Sequence, residues 1–225
     1  MKLVWSPECA SKAFIDTVKS CELYHESGVA ELISAMAAGW NAKLIVETWS
    51  HGGLIPTSVG LAIAAGHTSG RHVCIVPDER SRSAYASAVS SAAGGGDDDI
   101  STEILVGAPE EVMPELEGID FLVVDGTRRD FARVLRLAKL SHRGAVLVCK
   151  NAEAKTASLR WRAVIDGGKY RVVRTAFLPV GQGLDIAHVA ASGGSSSSSS
   201  SKSGKGKWIK HVDRSSGEEH VIRTT

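Results

Sequence analysis

The chain has 225 residues, 26 Lys and Arg against 25 Asp and Glu, 43% hydrophobic residues and a mean hydropathy of -0.01. This balance excludes collagen, a wholly disordered chain and a coiled coil, and fits one globular domain with a short appendage. No apolar stretch approaches the ~20 residues of a membrane-spanning helix, and MKLVWSPE lacks the apolar run of a secretory signal. The expectation is a cytoplasmic or nuclear protein with no membrane partner. Four cysteines (Cys9, Cys21, Cys74 and Cys149) lack any CxxC spacing and read as buried free thiols.

Two helices open the chain. Ser6-Pro7-Glu8 is a start signal, with Ser as N-cap, Pro in the first turn and an acid beside the helix dipole. Phe14, Val18 and Cys21 then recur at helical spacing and predict one buried face. From Gly28 the pattern repeats with Val29, Leu32, Ile33 and Met36, and Gly39 reads as the C-terminal stop. From Lys43 short apolar runs at 43–48, 71–78, 101–107, 121–126 and 144–151 alternate with helical stretches at 57–66, 80–93, 110–117 and 130–141. Continuous rather than alternating runs are those of strands covered on both faces, and the β-α rhythm predicts a parallel sheet. After a helix near 156–166, runs at 170–180 and 184–191 flank Gly181-Gln182-Gly183 and predict an antiparallel pair.

The fold class is therefore α/β: a doubly wound, Rossmann-like sheet of five parallel strands, a C-terminal antiparallel hairpin and two N-terminal helices. This domain spans 1–191. Residues 192–207, SGGSSSSSSSKSGKGK, have no apolar side chain to offset ordering entropy and read as a flexible linker. Residues 208–225, with WIKHVD and EEHVIRT about RSSG, read as a small β-hairpin. AGGGDDD at 93–99 reads as an exposed loop tip.

Charge is unevenly spread. Residues 97–125 hold ten Asp and Glu with no Lys or Arg, and residues 127–174 hold thirteen Lys and Arg with three Asp and Glu. The two stretches either face solvent or pair within the fold. Arg129, Arg133, Arg136, Lys139 and Arg143 form a basic stripe. No aromatics interleave with it, so a nucleic-acid surface is disfavoured.

Ligands of open parallel sheets bind outside the carboxyl ends of the strands. Those ends carry Glu47 to Gly53, Asp78-Glu79, Gly107-Ala108, Asp125-Gly126 and Lys150-Asn151. An acid after the second strand suits a ribose diol, and glycines after the first let backbone approach a ligand. Neither GxGxxG nor GxxxxGK[ST] is present, which argues against a dinucleotide site and the common nucleotide triphosphatases.

From Gly28 to Ala191 this outline resembles the S-adenosylmethionine-dependent methyltransferases, and among them the O-methyltransferases of the caffeoyl-CoA and catechol kind. Their E-x-G-x-x-x-G is matched at Glu47 and Gly53, with Trp49 at the first glycine. Their ribose acid corresponds to Asp78, their G-x-A turn to Gly107 and Ala108, their V-D-A to Val124, Asp125 and Gly126, and their P-V-G-x-G to the segment from Pro179 to Gly183. The whole chain also resembles a plant family of unknown function with this fold, whose members share WSPE and DTVKSC near the start and WIKHVD and SGEEHV near the end. The resemblance implies a cofactor site of Glu47, Trp49, Gly53, Asp78, Gly107 and Ala108, and an acceptor side of Asp125, Lys150 and Asn151.

The departures from the pattern carry their own expectations. The resemblance implies a metal held by two Asp and an Asn, but Lys150 replaces one Asp, and an ammonium has no lone pair for a cation. No metal is expected, and Lys150 is expected to pair with Asp125. Arg128 stands at the lysine base and is a poor proton acceptor. Trp49 is either an aromatic lid or a core side chain filling the cofactor slot, and His51 is either a base or an exposed loop residue. The leading expectation is S-adenosylmethionine binding with metal-independent methyl transfer to a small molecule. The alternative is an inactive methyltransferase-fold protein serving as a protein-interaction module. A homodimer stays open by analogy with related terminal hairpins.

Overall fold

The computed structural model describes residues 5–21, 28–92, 102–152, 161–165 and 169–191, and the backbone alone of 207–212 and 219–224. It comprises two units, Met1–Gly193 and Gly194–Thr225. The first unit begins with α1 (Pro7–Ser20), α2 (Val29–Gly39), β1 (Leu44–Thr48), α3 (Pro56–Thr68), β2 (Arg71–Val76), α4 (Glu79–Ala92) and β3 (Thr102–Val106). It continues through α5 (Pro109–Val112), a 3₁₀ turn (Met113–Glu115), β4 (Glu117–Ile119), β5 (Phe121–Asp125), α6 (Phe131–Leu137), β6 (Lys139–Leu140) and β7 (Ala145–Lys150). It ends with α7 (Trp161–Ile165), β8 (Tyr170–Leu178) and β9 (Leu184–Ala191).

Seven strands form the main sheet in the order β3-β2-β1-β5-β7-β9-β8. The first five are parallel and β9 and β8 are antiparallel, as the sequence predicts. Strand order reverses between β1 and β5, which opens a crevice at their carboxyl ends. Leu44, Val46, Leu122, Val124 and Leu147 face α6 and α7 in one core layer, and Ile45, Phe121, Val123, Val146 and Val148 face α2 and α3 in the other. β3, at the sheet edge, is half exposed rather than covered on both faces.

Asp120 anchors the start of β1. Its Oδ2 accepts from the amides of Lys43 at 2.8 Å and Leu44 at 3.2 Å, and its Oδ1 accepts from Arg143 at 3.1 Å. That contact and the Lys139–Glu117 pair at 2.9 Å join the acidic and basic stretches within the fold. The helix expected at 110–117 breaks at Pro114 into a 3₁₀ turn, and the one at 130–141 stops at Leu137, so that β4 and β6 pair as a separate small parallel sheet.

The N-terminal helices follow the caps but not the expected faces. The Ser6 side chain accepts from the Cys9 amide, with Pro7 in the first turn. The buried face of α1 is Ala10, Ala13 and Thr17, continued by Cys21, while Phe14 and Val18 are exposed. The reason is closeness: α1, α2 and α3 meet through small residues, and Thr17 Oγ1 donates to Ser34 Oγ at 2.9 Å. In α2, Ile33 is fully buried, and Val29, Leu32 and Met36 pack at the margin. Gly39 is the last helical residue rather than a stop beyond it, and it makes room for the Trp5 ring. All four cysteines are free thiols, with Cys9 half-buried and the others buried.

In the second unit, β10 (Lys207–Val212) pairs antiparallel with β11 (Glu219–Thr224). The 93–99 loop, the 192–206 part of the linker, the RSSG turn and most of the helix near 156–166 lie outside the described residues.

Gly60 is where α3 meets α1 and α2 most closely against backbone: a Cβ there would stand 2.8 Å from the Ala30 carbonyl oxygen and 3.2 Å from Ser34 and Thr17 carbons. Overpacking costs about 1–3 kcal/mol and outweighs the ~1 kcal/mol that Ala gains over Gly in a helix. With a net cost of up to about 2 kcal/mol, Gly60→Ala is expected to lower the melting temperature by up to about 8 °C in a thermal unfolding scan.

Candidate functional site

A cavity of about 380 Å³ opens at the carboxyl edge where strand order reverses. Its floor is Asp125 at the end of β5, Lys150 at the end of β7, and Asn151. Gly52, Gly53, Leu54 and Thr57, from the loop between β1 and α3 and that helix's first turn, form one wall. The turn from Gly181 to Gly183, with Leu184, forms the other, and Val29 of α2 closes the rim.

Local backbone geometry fixes the floor. Asp125 and Lys150 are register partners on neighbouring parallel strands. Asn151 adopts a left-handed φ of 56° that Asn tolerates, and its Nδ2 donates to Asp125 Oδ1 at 3.1 Å. The same oxygen accepts from Thr127 N at 2.9 Å and Thr127 Oγ1 at 2.8 Å. Gly126 replaces the alanine of the resembled motif because a Cβ there would stand 2.9 Å from Cys149 Sγ. Burial works to raise the Asp125 carboxyl. The Thr127 amide, the Asn151 and Thr127 side chains and the Lys150 charge outweigh it and hold the group below its ordinary value.

Lys150 is 8% exposed. The expected pairing with Asp125 is not formed: Asp125 is bound by Thr127 and Asn151 instead, and among the described residues the Lys150 side chain makes no hydrogen bond or ion pair. One carboxylate, an amide already donating to it and an ammonium do not make a divalent-cation site.

The other sequence-expected residues lie around this cavity rather than in it, except Gly53. Glu47 is wholly buried on β1. Tyr85 OH donates to its Oε1 at 2.9 Å, and His72 Nε2 lies 3.3 Å from the same oxygen. Burial acts to raise this carboxyl, but His72, the Lys150 charge and Ser58 bring it below its ordinary value. Burial pushes the Tyr85 phenol up, so it remains a donor. Trp49 is 4% exposed and meets Tyr85 edge-on at 5.3 Å, so of the two expectations the core side chain is the one formed. Gly53 lies over the indole: a Cβ there would stand 2.7 Å from Trp49 Nε1.

Asp78 Oδ1 accepts from the Ser81 amide at 2.7 Å and so caps the start of α4. Gly107 N donates to the Val76 carbonyl, and the Ala108 carbonyl accepts from Glu111 and Val112. His51 is exposed on its loop, and Arg128 makes a two-point ion pair with Asp130 at 2.8 and 3.0 Å. Sequence reasoning missed Val29, Leu54 and Thr57 as cavity residues. The signal for Thr57 was a helix starting directly after Gly52-Gly53.

A family model described as protein of unknown function (DUF1442) matches residues 1–224, so the chain belongs to that family. No curated protein matches it. Among solved structures it is similar to a methyltransferase from Geobacter sulfurreducens, at 19% identity over 81% of this chain and 90% of that one, with a TM-score of 0.56. It is similar to an O-methyltransferase from Bacillus cereus in complex with SAH, at 15% identity over 83% and 93%, with a TM-score of 0.55. It is also similar to the O-methyltransferase TomG from Streptomyces achromogenes in complex with SAM, at 22% identity over 84% and 92%, with a TM-score of 0.53. The fold is the Rossmann-like fold of the methyltransferases. Among the described residues no helix is long and apolar enough to cross a membrane.

Two expectations follow from the buried charges. Tyr85→Phe removes the hydroxyl donor to Glu47 Oε1. A hydrogen bond to a charged group contributes about 1.5–3 kcal/mol, so the variant is expected to melt about 3–12 °C lower. Asp125 has a folded pKa below its ordinary 3.8, so its contribution to stability is present above that value and is lost as pH falls through the folded pKa. Asn151→Gly keeps the left-handed turn and deletes one donor. Acid unfolding followed by circular dichroism is expected to begin at higher pH in that variant than in the wild type.

Proposed function

We propose that this member of the DUF1442 family binds S-adenosylmethionine and its demethylated product at the carboxyl edge of the sheet, and transfers the methyl group to a small molecule without a metal ion. The observation that carries the reading is the cavity at the strand-order reversal, with a glycine loop on one side and Asp125, Lys150 and Asn151 beneath. A bound cofactor supplies an electrophilic methyl on a sulfonium.

The residues fit that group at both ends. Gly52 has a left-handed φ of 84° and no atom within 4 Å of where a Cβ would stand, which leaves backbone open to a ligand. Asp125, held ionised, faces the cavity and suits the ammonium of the cofactor's amino-acid end. Asp78 commits one oxygen to the α4 cap and keeps the other for a ribose hydroxyl. Gly107 and Ala108 lie at the end of β3 on the same edge. On the acceptor side, Lys150 and Asn151 orient the molecule that takes the methyl group. Arg128 is held by Asp130 and supplies no base, so holding the reactants together carries the acceleration.

A second reading has its own observation. Trp49 and Glu47 are core residues at the position of the resembled glycine motif, and Gly53 is closed onto the indole. That arrangement favours an inactive member of the fold that serves as a protein-interaction module.

Calorimetric titration separates the two. S-adenosylmethionine and S-adenosylhomocysteine are expected to bind with micromolar affinity, unchanged by Mg²⁺ or by a chelator. No heat together with an unshifted melting temperature would sink the transferase reading and leave the second.

A further inference from the structure

Lys150 brings a positive charge into the cavity without a direct ion pair among the described residues. The residue is 8% exposed, lines the cavity, and makes no hydrogen bond or ion pair among the described residues. Buried charges in folded proteins are normally paired. The two carboxylates whose fields reach it make their hydrogen bonds to other groups. Glu47 takes the Tyr85 hydroxyl within the core, and Asp125 takes three hydrogen bonds on one oxygen.

The wall that carries Thr57 adds a second anion-seeking feature. Thr57 is 3% exposed, lines the same cavity, and its hydroxyl makes no hydrogen bond among the described residues. It sits in the first turn of α3, a 13-residue helix whose N-cap, Ile55, provides no side-chain cap. Uncapped amides at a helix start carry partial positive charge and accept an anion. Between these polar points the lining is apolar: Val29, Leu54, Val180 and Leu184.

We propose that the cavity takes a small amphipathic carboxylic acid, its carboxylate on the Lys150 ammonium and Thr57, and its hydrocarbon body against Val29, Leu54, Val180 and Leu184. This names the class of acceptor, and as an acceptor assignment it rests on the transferase reading above. With one ammonium and one carboxylate on neighbouring strands, a monoanion is favoured over a phosphate dianion, which Asp125 repels about twice as strongly.

The test uses the full chain and calorimetry with acetate, hexanoate and benzoate, each beside its amide, and with inorganic phosphate. At least one acid is expected to bind ten times more tightly than its amide and than phosphate. Lys150→Met, which keeps the hydrocarbon stem, is expected to weaken that acid at least tenfold and leave the amide unchanged. Thr57→Val is expected to weaken it several-fold.

The proposal is overturned if no acid exceeds its amide, if phosphate binds best, or if Lys150→Met retains the acid. If Lys150→Met does not fold, the acid–amide contrast on the wild type decides. S-adenosylhomocysteine is titrated separately. Acid binding without it supports the anion site while ending its assignment to a methyl acceptor, and cofactor binding without acid preference ends the anion site while keeping the transferase reading.

Discussion

The molecule depends on the central position of β1. That strand is hydrogen-bonded along both edges, to β2 on one side and β5 on the other. The chain leaving β1 enters α3 on one face, and the chain leaving β5 leads to α6 on the opposite face. Neither connection can cover the gap between the two strand ends, so the crevice is a consequence of topology. Asp120 holds the start of β1 through two backbone amides, which fixes the register from which Glu47 and the loop after it are carried to the far edge.

That edge carries two charges at similar depth that the fold treats differently. Glu47 is enclosed: Tyr85 donates to it, His72 lies beside it, and Trp49 packs against Tyr85. Lys150, two strands away, is almost as buried but lines the cavity with no direct hydrogen bond or ion pair among the described residues. A buried charge that is paired mainly specifies the core around it, whereas one facing a cavity keeps its donors accessible. The Lys150 field lowers both the Glu47 and the Asp125 carboxyls, so three ionic groups are coupled without a direct ion pair to the lysine.

The sheet was legible in the sequence because β1, β2, β5 and β7 are covered on both faces, which writes an uninterrupted apolar run. The helices were less legible where packing overrode periodicity. Phe14 and Val18 have the spacing of a buried face, yet the close approach of α1, α2 and α3 around Gly60 admits only Ala and Thr. The end of α6 was misread because the apolar pattern runs on through Leu140 into a short strand. In the site, Asp125, Lys150 and Asn151 were found because they end strands. Val29, Leu54 and Thr57 were missed because their role arises from helices and a loop meeting across the crevice. The Asp125–Lys150 pair was reasonable from register alone. Instead the Thr127 amide and hydroxyl, two residues on, and the Asn151 side chain, turned back by its left-handed backbone, donate to one of its oxygens.

A single side chain at the end of β7 brings a positive charge to an edge that also carries Asp125. The backbone that places the residue is fixed by pairing with β5 and β9, and the turn after it by the left-handed Asn151. In the O-methyltransferases the sequence resembles, a carboxylate at this position implies a cation between protein and acceptor. With lysine on the same scaffold, the protein itself carries the positive charge, and the Asn151 side chain donates to Asp125. Such an exchange leaves the sheet, the register and the cavity walls in place. It alters one electrostatic fact: the group at this strand end is an ammonium, with hydrogen-bond donors and no lone pair for a cation. A site of that kind cannot ligate two neighbouring hydroxyls as a metal does, but it can seat one anionic group. On the proposed anion reading, selectivity rests on the apolar lining and on Thr57, which come from elements separate from the strand ends.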